Sequence, residues 1–526
     1  MKTGHHHHHR ACCPFHALML WPGGMGAGRD TPAPAGDAPS FSDATPKEAS
    51  PAASAGDAHT RDLYEVAGRD RLVVIRGATV LPMTNGGSLS NHDIVMRNGV
   101  IIDVLPSDGH RPADDALLID AAGKYVIPGL TEIHTHPILA HSAAMFAPAI
   151  SPDAKAQDLY LPYDLQMFLY VAAGVTRIEI MAGTAEELAM RGSIRSGRYR
   201  GPAMRIASPV IDGYPPMQPP AISLIATDAD GGRRAARWIA ERGFDFAKPY
   251  TRINREAYTA FAEECRSLGI MMMGHVPKAV GVEDAIALGQ RGVAHVFEFF
   301  DWEQEPTRSD PGVMARRARL CAEHGVAVQT TICAASMFEY DSGFTPDEPL
   351  VQQSINPVLN YLMHERSPFI QAWRNDPVMV EAGRDILKLS IQMTQALVAE
   401  GVAVLPGTDV PGSNVTDGYN LHEELRYFVE DVGMTPMEAL RAATVTCAEY
   451  QGEGAVAGTL ERGKRSDLVI LDADPLAAIN ATREIHAVMI GNALLSRNAL
   501  DRGLARAKER YAAMPVPEEP PPLPAE

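Results

Sequence analysis

Between residues 126 and 454 the chain alternates short apolar runs with helical segments, and this rhythm constrains the fold more than any other feature. Eight candidate strands can be read. They are Thr131–His136, Gly174–Ile180, Met204–Ile211, Phe244–Lys248, Ile270–His275, Val293–Phe297, Val326–Thr331 and Val402–Thr408. Strands separated by helices predict a parallel sheet, because parallel neighbours need a long crossover. Glu256–Leu268 is one such helix, with Tyr258, Phe261, Ala262, Cys265 and Leu268 at helical spacing and Gly269 as its cap. Eight β/α units suggest a closed (β/α)8 TIM barrel with its active site at the C-terminal strand ends. Three connections, 137–165, 211–230 and 332–385, are too long for simple turns. The second is stiffened by Pro215, Pro216, Pro219 and Pro220. All three are expected to wall or cover the mouth.

The flanks have a different texture. Before residue 126, Leu72–Arg76, Ala78–Leu81, Asp93–Arg97, Val100–Val104 and Leu117–Asp120 read as short strands, with turn signals at Asn85-Gly86-Gly87 and Asn98-Gly99. After residue 455, Ser466–Asp472 and the hairpin Val488–Ile490, Gly491-Asn492, Ala493–Leu495 read the same way. We therefore expect a small composite β-sandwich domain, α/β overall, built from both terminal segments. The expected division is 1–62 leader and Ala/Pro-rich linker, 63–125 with 455–500 composite β domain, 126–454 barrel, and 501–526 C-terminal tail.

The length of 526 residues allows this many parts. A net charge of −18 excludes a general nucleic-acid or acidic-membrane surface, since both want a basic face. The six cysteines form no CxxC pair and no disulfide framework, so they read as free thiols. No run of 18 apolar residues is present, so no transmembrane helix is expected. The His5–His9 run resembles an affinity tag and is left out of the metal argument. Lys2, Arg10 and the small residues Gly26-Ala27-Gly28 have the marks of a signal peptide; we expect a cytoplasmic protein, with export to a periplasm as the alternative.

Chemistry-bearing residues collect at five strand ends. His134 and His136 are two apart, so on a strand both imidazoles leave one face. By itself the pair fits either a metal site or ordinary polar residues closing a strand. Lys248 ends the fourth strand, His275 the fifth, His295 lies in the sixth and Asp409 follows the eighth. Singly, each has a bland reading: a packed histidine, a snorkelling lysine, a turn-forming aspartate. A barrel would gather all of them at one mouth, and five coincidences are harder to accept than one.

This set resembles the amidohydrolase superfamily of metal-dependent hydrolases. The family pattern has His-x-His after strand one, lysine after strand four, histidines after strands five and six, and aspartate after strand eight. Ile127-Pro128-Gly129-Leu130 and Gly463–Leu471 match its flanks, and the resemblance covers about residues 70–497. Asp245–Tyr250, Gly274–Pro277 and Asn420–Leu425 look like the imidazolonepropionase-like and Xaa-Pro dipeptidase-like subgroup, with Pro249 in place of a commoner apolar residue.

The resemblance implies two divalent ions, zinc expected, bridged by a hydroxide and by a CO2-derived carbamate on Lys248. His134, His136 and Asp409 would hold one ion, His275 and His295 the other, and Asp409 would shuttle the proton. A mononuclear deaminase branch carries glutamate three residues after the strand-five histidine; Lys278 stands there, which favours hydrolysis. The expected reaction is cleavage of an amide or peptide C–N bond in an N-acyl amino acid, dipeptide or cyclic amide. A lactone or phosphoester is the alternative substrate, and a non-catalytic scaffold the alternative class. Tyr250 and His141 are candidate pocket residues. Glu298 is a possible support, whereas His422-Glu423-Glu424 reads as helix surface. Met271-Met272-Met273 reads as core filling. Beyond a small-molecule substrate, with no nucleic acid and no membrane, a homo-oligomer is expected.

Overall fold

A computed structural model describes residues 59–139, 141–144, 147, 153–300, 309–336, 356–357, 377–410 and 416–515. The His5–His9 run, Cys12, Cys13, most of the leader, much of the 332–385 connection and the tail beyond Pro515 lie outside these residues.

Eight parallel strands form the barrel wall: β1 (Leu130–Thr135), β2 (Val175–Ile180), β3 (Ala203–Asp212), β4 (Phe246–Pro249), β5 (Met273–Gly274), β6 (Gly292–Ala294), β7 (Ala327–Gln329) and β8 (Val404–Leu405). β1 to β4 pair in sequence order, as do β5 to β8. The Ala247–Met272 bridge joins the two sets, and the Thr135–Val410 bridge returns the end of β8 to β1. The fold is that of a TIM barrel. Its interior is closed by one residue from each strand or its end: Ile133, Met181, Ala207, Phe246, Met273, Ala294, Ala327 and Leu405 share a core cluster. That layer makes a packed floor, not a pore. Met272 and Met273 are buried in this wall, as core filling requires.

The helices between strands are amphipathic and well terminated. Arg255–Leu268 begins at Asn254, whose side chain accepts the Ala257 N–H, and stops at Gly269 in the left-handed conformation, φ 69°. The long 211–230 connection also holds a short strand, Ser223–Ile225, paired to the end of β3. Three residues are too few to show a period, so no alternation announces this strand in the sequence.

Both terminal segments meet in one mixed nine-stranded sheet. Tyr125–Pro128 pairs antiparallel with Leu468–Leu471, and Glu65–Val66 with Ala493–Ser496. Inward-facing residues such as Val73, Ile75, Ile94, Met96, Leu468 and Ile470 form a core of their own. Leu72–Arg76 and Ala78–Leu81 are one strand, Leu72–Val80, not two. Gly77 at φ 68° shifts the register between Ile75 and Ala78, a bulge that reads in sequence as a break. The Asn98-Gly99 turn has both residues at positive φ, as a tight hairpin of that type needs.

Two expected boundaries move. Residues 501–512, expected in a tail, belong to the helix Arg497–Ala512, which buries Leu500, Gly503, Leu504, Ala507 and Tyr511. Small residues four apart give it a flat face; Gly503 sits so close to Phe168 that a Cβ there would lie 2.1 Å from the ring. At the other end, order begins before residue 63: Thr60 donates from its N–H and hydroxyl to Asp164, and Leu63 is buried. Among the described residues no helix is long and apolar enough to cross a membrane.

Candidate metal centre

Strand one delivers the two histidines as alternation predicts, and strand eight brings Asp409 to them. Backbone hydrogen bonds fix the approach. The Asp409 N–H donates to the His134 carbonyl at 2.9 Å, and the His136 N–H to the Val410 carbonyl at 2.6 Å. Asp409 Oδ1 then lies 3.2 Å from His134 Nε2 and 3.3 Å from His136 Nε2. Ligand atoms of His134, His136 and Asp409 lie within 4.8 Å of one another, a spacing that can hold one ion.

The remaining candidates gather around this trio. His295 Nε2 is 4.0 Å from Asp409 Oδ2, and its ring centroid is 4.5 Å from that of His134. The His275 ring is 4.8 Å from His295, edge on. Lys248 is buried at the end of β4, its ammonium 5.9 Å from the Tyr250 ring. Tyr250 packs 4.2 Å from His275 and accepts a hydrogen bond from Gln218 at 2.7 Å. His141 sits elsewhere: its Nδ1 is 2.8 Å from Glu186 and 3.5 Å from Glu187. Burial opposes a charge on His141, but Glu187 and Glu186 outweigh it and hold its pKa above the ordinary value.

Supporting residues aim the imidazoles. Glu298 accepts from His275 Nδ1 at 2.9 Å and from the Val276 N–H at 3.2 Å. Thr331 Oγ1 lies 2.8 Å from His295 Nδ1. Each arrangement leaves the opposite ring nitrogen to face the centre. Backbone strain marks the same spot. His295, Thr331 and Asp409 have φ of 68°, 47° and 58°, a region that residues other than glycine seldom occupy and a β-branched threonine least of all. Such conformations cost about 1–3 kcal/mol each and persist where surrounding contacts enforce them.

The electrostatics suit a cation. Burial pushes His134 down to about 3 and also lowers His136 and His295, so these imidazoles are neutral near pH 7. Burial works against charge on Asp409, but His295 and His134 and the hydrogen bonds to His134 and His136 outweigh it, holding the carboxyl well below the usual range. Neutral imidazoles beside an ionised carboxylate are the protonation states that divalent-metal ligands need. His295 Nε2, buried and 4.0 Å from Asp409 Oδ2, has no hydrogen-bond partner among the described residues. Unsatisfied buried nitrogens are costly, and a metal ion accounts for a donor set of this kind. The residues present fit the group.

The structure departs from the sequence reading at the helix Asn420–Glu430. His422 and Glu424 are not on a helix surface. His422 Nδ1 is 2.9 Å from Thr482 Oγ1 and its Nε2 lies 3.1 Å from the Ala173 carbonyl. Glu424 accepts the N–H groups of Ile332 and Cys333 and the Thr330 hydroxyl, so it ties down the segment leaving β7. The helix is buried along one side against the barrel, which a local pattern cannot show. Glu132, Tyr170 and Asp417 carry no motif of their own and enter only through the structure. Glu132 accepts the Thr408 N–H at 2.8 Å; the register of β1 shifts between Glu132 and Thr135, so simple alternation in the sequence does not announce where this carboxylate points.

A barrel with histidines, a lysine and an aspartate at its C-terminal rim defines a class of metal-dependent hydrolase. The model of the amidohydrolase family matches residues 242–495. Imidazolonepropionase of Geobacillus thermodenitrificans is 26% identical over 441 residues, covering 77% of this chain and 90% of that one. The structure of a putative prolidase from Bifidobacterium longum superposes with a TM-score of 0.61 at 21% identity, covering 84% of this chain and all of the other. A bottromycin amidohydrolase gives 0.64 at 23%, covering 88% and 95%. The chain belongs to the amidohydrolase superfamily, is an enzyme of that class, and is similar to its imidazolonepropionase-like and Xaa-Pro dipeptidase-like members.

Proposed function

We propose that this enzyme hydrolyses an amide or peptide C–N bond in a small molecule: an N-acyl amino acid, a dipeptide or a cyclic amide. The observation that carries the proposal is the meeting of His134, His136, His295 and Asp409 at one end of the barrel, with neutral imidazoles around an ionised carboxylate. His134, His136 and Asp409 would hold one divalent ion. His275 and His295 would hold a second, with Lys248, as a CO2-derived carbamate, between the two; zinc suits this donor set. When bound, such ions supply a Lewis acid for the scissile carbonyl and acidify water toward neutrality. Asp409 would take a proton from the attacking water and pass it to the leaving nitrogen. Glu298 and Thr331 hold the His275 and His295 rings in register. Tyr250, against His275, would form one substrate wall. His141 would act at the rim through Glu186, whose carboxylate the Tyr163 hydroxyl also meets.

We also propose that residues 126–454 act as the catalytic barrel, braced by a sandwich-like unit of 63–125 and 455–500, and that the enzyme is a homo-oligomer.

The test starts with elemental analysis of protein freed of the His5–His9 run. About two ions per chain are expected. A panel of N-acyl amino acids, Xaa-Pro dipeptides, cyclic amides, lactones and phosphotriesters then reads the bond cleaved. Activity confined to lactones or phosphotriesters would replace the C–N reading. No bound metal after growth with added metal, or full activity in His134→Ala, would defeat it.

A further inference from the structure

The barrel has a cavity at the end opposite the metal ligands, with a volume of about 230 Å3. Its walls are the starts of β2 and β3, the last turns of the helix Ala185–Arg195, and Arg465, Asp467 and Ile490 of the terminal segments. Five arginines line it: Arg177, Arg191, Arg195, Arg205 and Arg465. Arginine at such density is unusual for a place where two parts of a chain merely pack, because each buried guanidinium must recover its lost hydration.

The carboxylates nearby do not satisfy all of them. Glu453 serves two, at 2.9 Å from Arg177 Nη2 and 2.8 Å from Arg465 Nη1. Asp245 takes Arg191, whose other nitrogen donates to the Gly243 carbonyl. Glu179 lies 3.4 Å from Arg205. Asp467 turns away and accepts the Gly491 N–H at 2.7 Å. Arg195 has no ion-pair partner among the described residues. Arg177 is decisive. It is 4% exposed, its Nη2 donates to Gln451 at 2.6 Å, and its buried Nη1 has no hydrogen-bond partner among the described residues. A fully buried guanidinium with an unanswered N–H on a cavity wall is the mark of a missing acceptor.

Five guanidiniums thus face four carboxylates, and burial pushes one of those, Glu179, up to about 7, so the cavity leans positive. A single water takes about 30 Å3 in the liquid, so the space exceeds one water several times over. The planar fork of arginine pairs two N–H groups with two oxygens of a carboxylate or phosphate. We propose that this cavity binds a small oxyanion carrying two or more charges, of the phosphate or dicarboxylate class, with Arg177 and Arg195 as its principal donors. The site is remote from the reaction centre, and an anion there would tie the bottom of the barrel to the terminal β segments.

Calorimetric titration of the metal-loaded full chain with sodium phosphate, and separately with sodium succinate, tests this against sodium chloride of equal ionic strength. Saturable binding near one anion per chain is expected for at least one of them, with a higher melting temperature. The anion that binds assigns the class. Arg177→Gln and Arg195→Gln should each weaken binding at least about five-fold, as loss of a charge-assisted bond implies. Arg195 is exposed and pairs with no carboxylate among the described residues, so its variant should fold even where Arg177→Gln does not. Absence of saturable binding by both anions overturns the proposal. So does binding that neither substitution weakens, which would place the anion at the metal centre.

Discussion

The Tyr170 hydroxyl lies 2.6 Å from Thr135 Oγ1, the residue between the two histidines of β1. The same hydroxyl donates to Asp417 Oδ1 at 2.7 Å. A buried chain of polar atoms therefore runs from Asp417, in the segment that follows Asp409, through Tyr170 to the His-x-His strand.

Tyr170→Phe breaks that chain while keeping the ring. Asp417 and Thr135 each lose a buried partner, so the variant should lose about 1–3 kcal/mol of stability. Urea denaturation followed by circular dichroism measures it. A midpoint equal to that of the parent would show that the hydroxyl is not a structural tie.

Asp417 gives a pH prediction. Burial pushes its pKa up to about 6, against the hydrogen bonds from Tyr170 and Gln166 that pull it down. Between the ordinary value of 3.8 and about 6 the folded chain keeps a proton that the unfolded chain has released. This group's contribution to stability is therefore fully present below that window, falls as pH rises through it and stays low above it. Asp417→Asn removes the titration and keeps an acceptor for Tyr170. Its stability relative to the parent should improve by up to about 3 kcal/mol between pH ~3.5 and pH ~8. A difference independent of pH would contradict the assignment.

Glu298 is the third test. Its carboxylate orients His275 through Nδ1, so it acts on the metal through a ligand. Glu298→Gln retains the shape and weakens the acceptor. Metal affinity, measured by competition with a chelator, should fall about 10–100-fold with the fold intact. Unchanged affinity would remove His275 from the ligand set or Glu298 from its support.

What the sequence discloses and what it hides follow from the range of each interaction. Strand alternation and β/α rhythm are local, so the barrel and the strand-end residues from His134 to Asp409 are legible in the chain itself. The supporting contacts are not local. Glu424 reaches the backbone of Ile332 and Cys333 some ninety positions away, and Tyr170 meets Asp417 across 247. No period in a single segment can announce such a pair. The left-handed conformations of His295, Thr331 and Asp409 are equally silent, since those residue types do not advertise positive φ as glycine does. The short strands are hard for another reason: β5 and β8 have two paired residues each, so apolar runs overstate their length. Half of the buried face of the helix Arg497–Ala512 is alanine and glycine, Ala499, Gly503 and Ala507, which carry little hydrophobic signal while allowing close approach to Phe168.

Close approach also gives the last prediction. Gly407 follows β8 and presses against β1: a Cβ added there would stand 2.6 Å from His134 Cβ and 3.1 Å from its backbone nitrogen. The atoms it would meet include main chain, so the two strands must part. Overpacking of this kind costs about 1–3 kcal/mol. Gly503→Ala is the matched control, because its added methyl would meet the Phe168 ring, far from the metal ligands. Both variants should be destabilised to a similar degree. Only Gly407→Ala should also bind metal more weakly, since parting β1 from β8 moves His134 away from Asp409, whose Oδ1 now lies 3.2 Å from its Nε2. Chelator competition on the two proteins, below their melting temperatures, separates the effects. Equal metal affinity in both would mean that the distance between His134 and Asp409 is not what sets the binding of the ion.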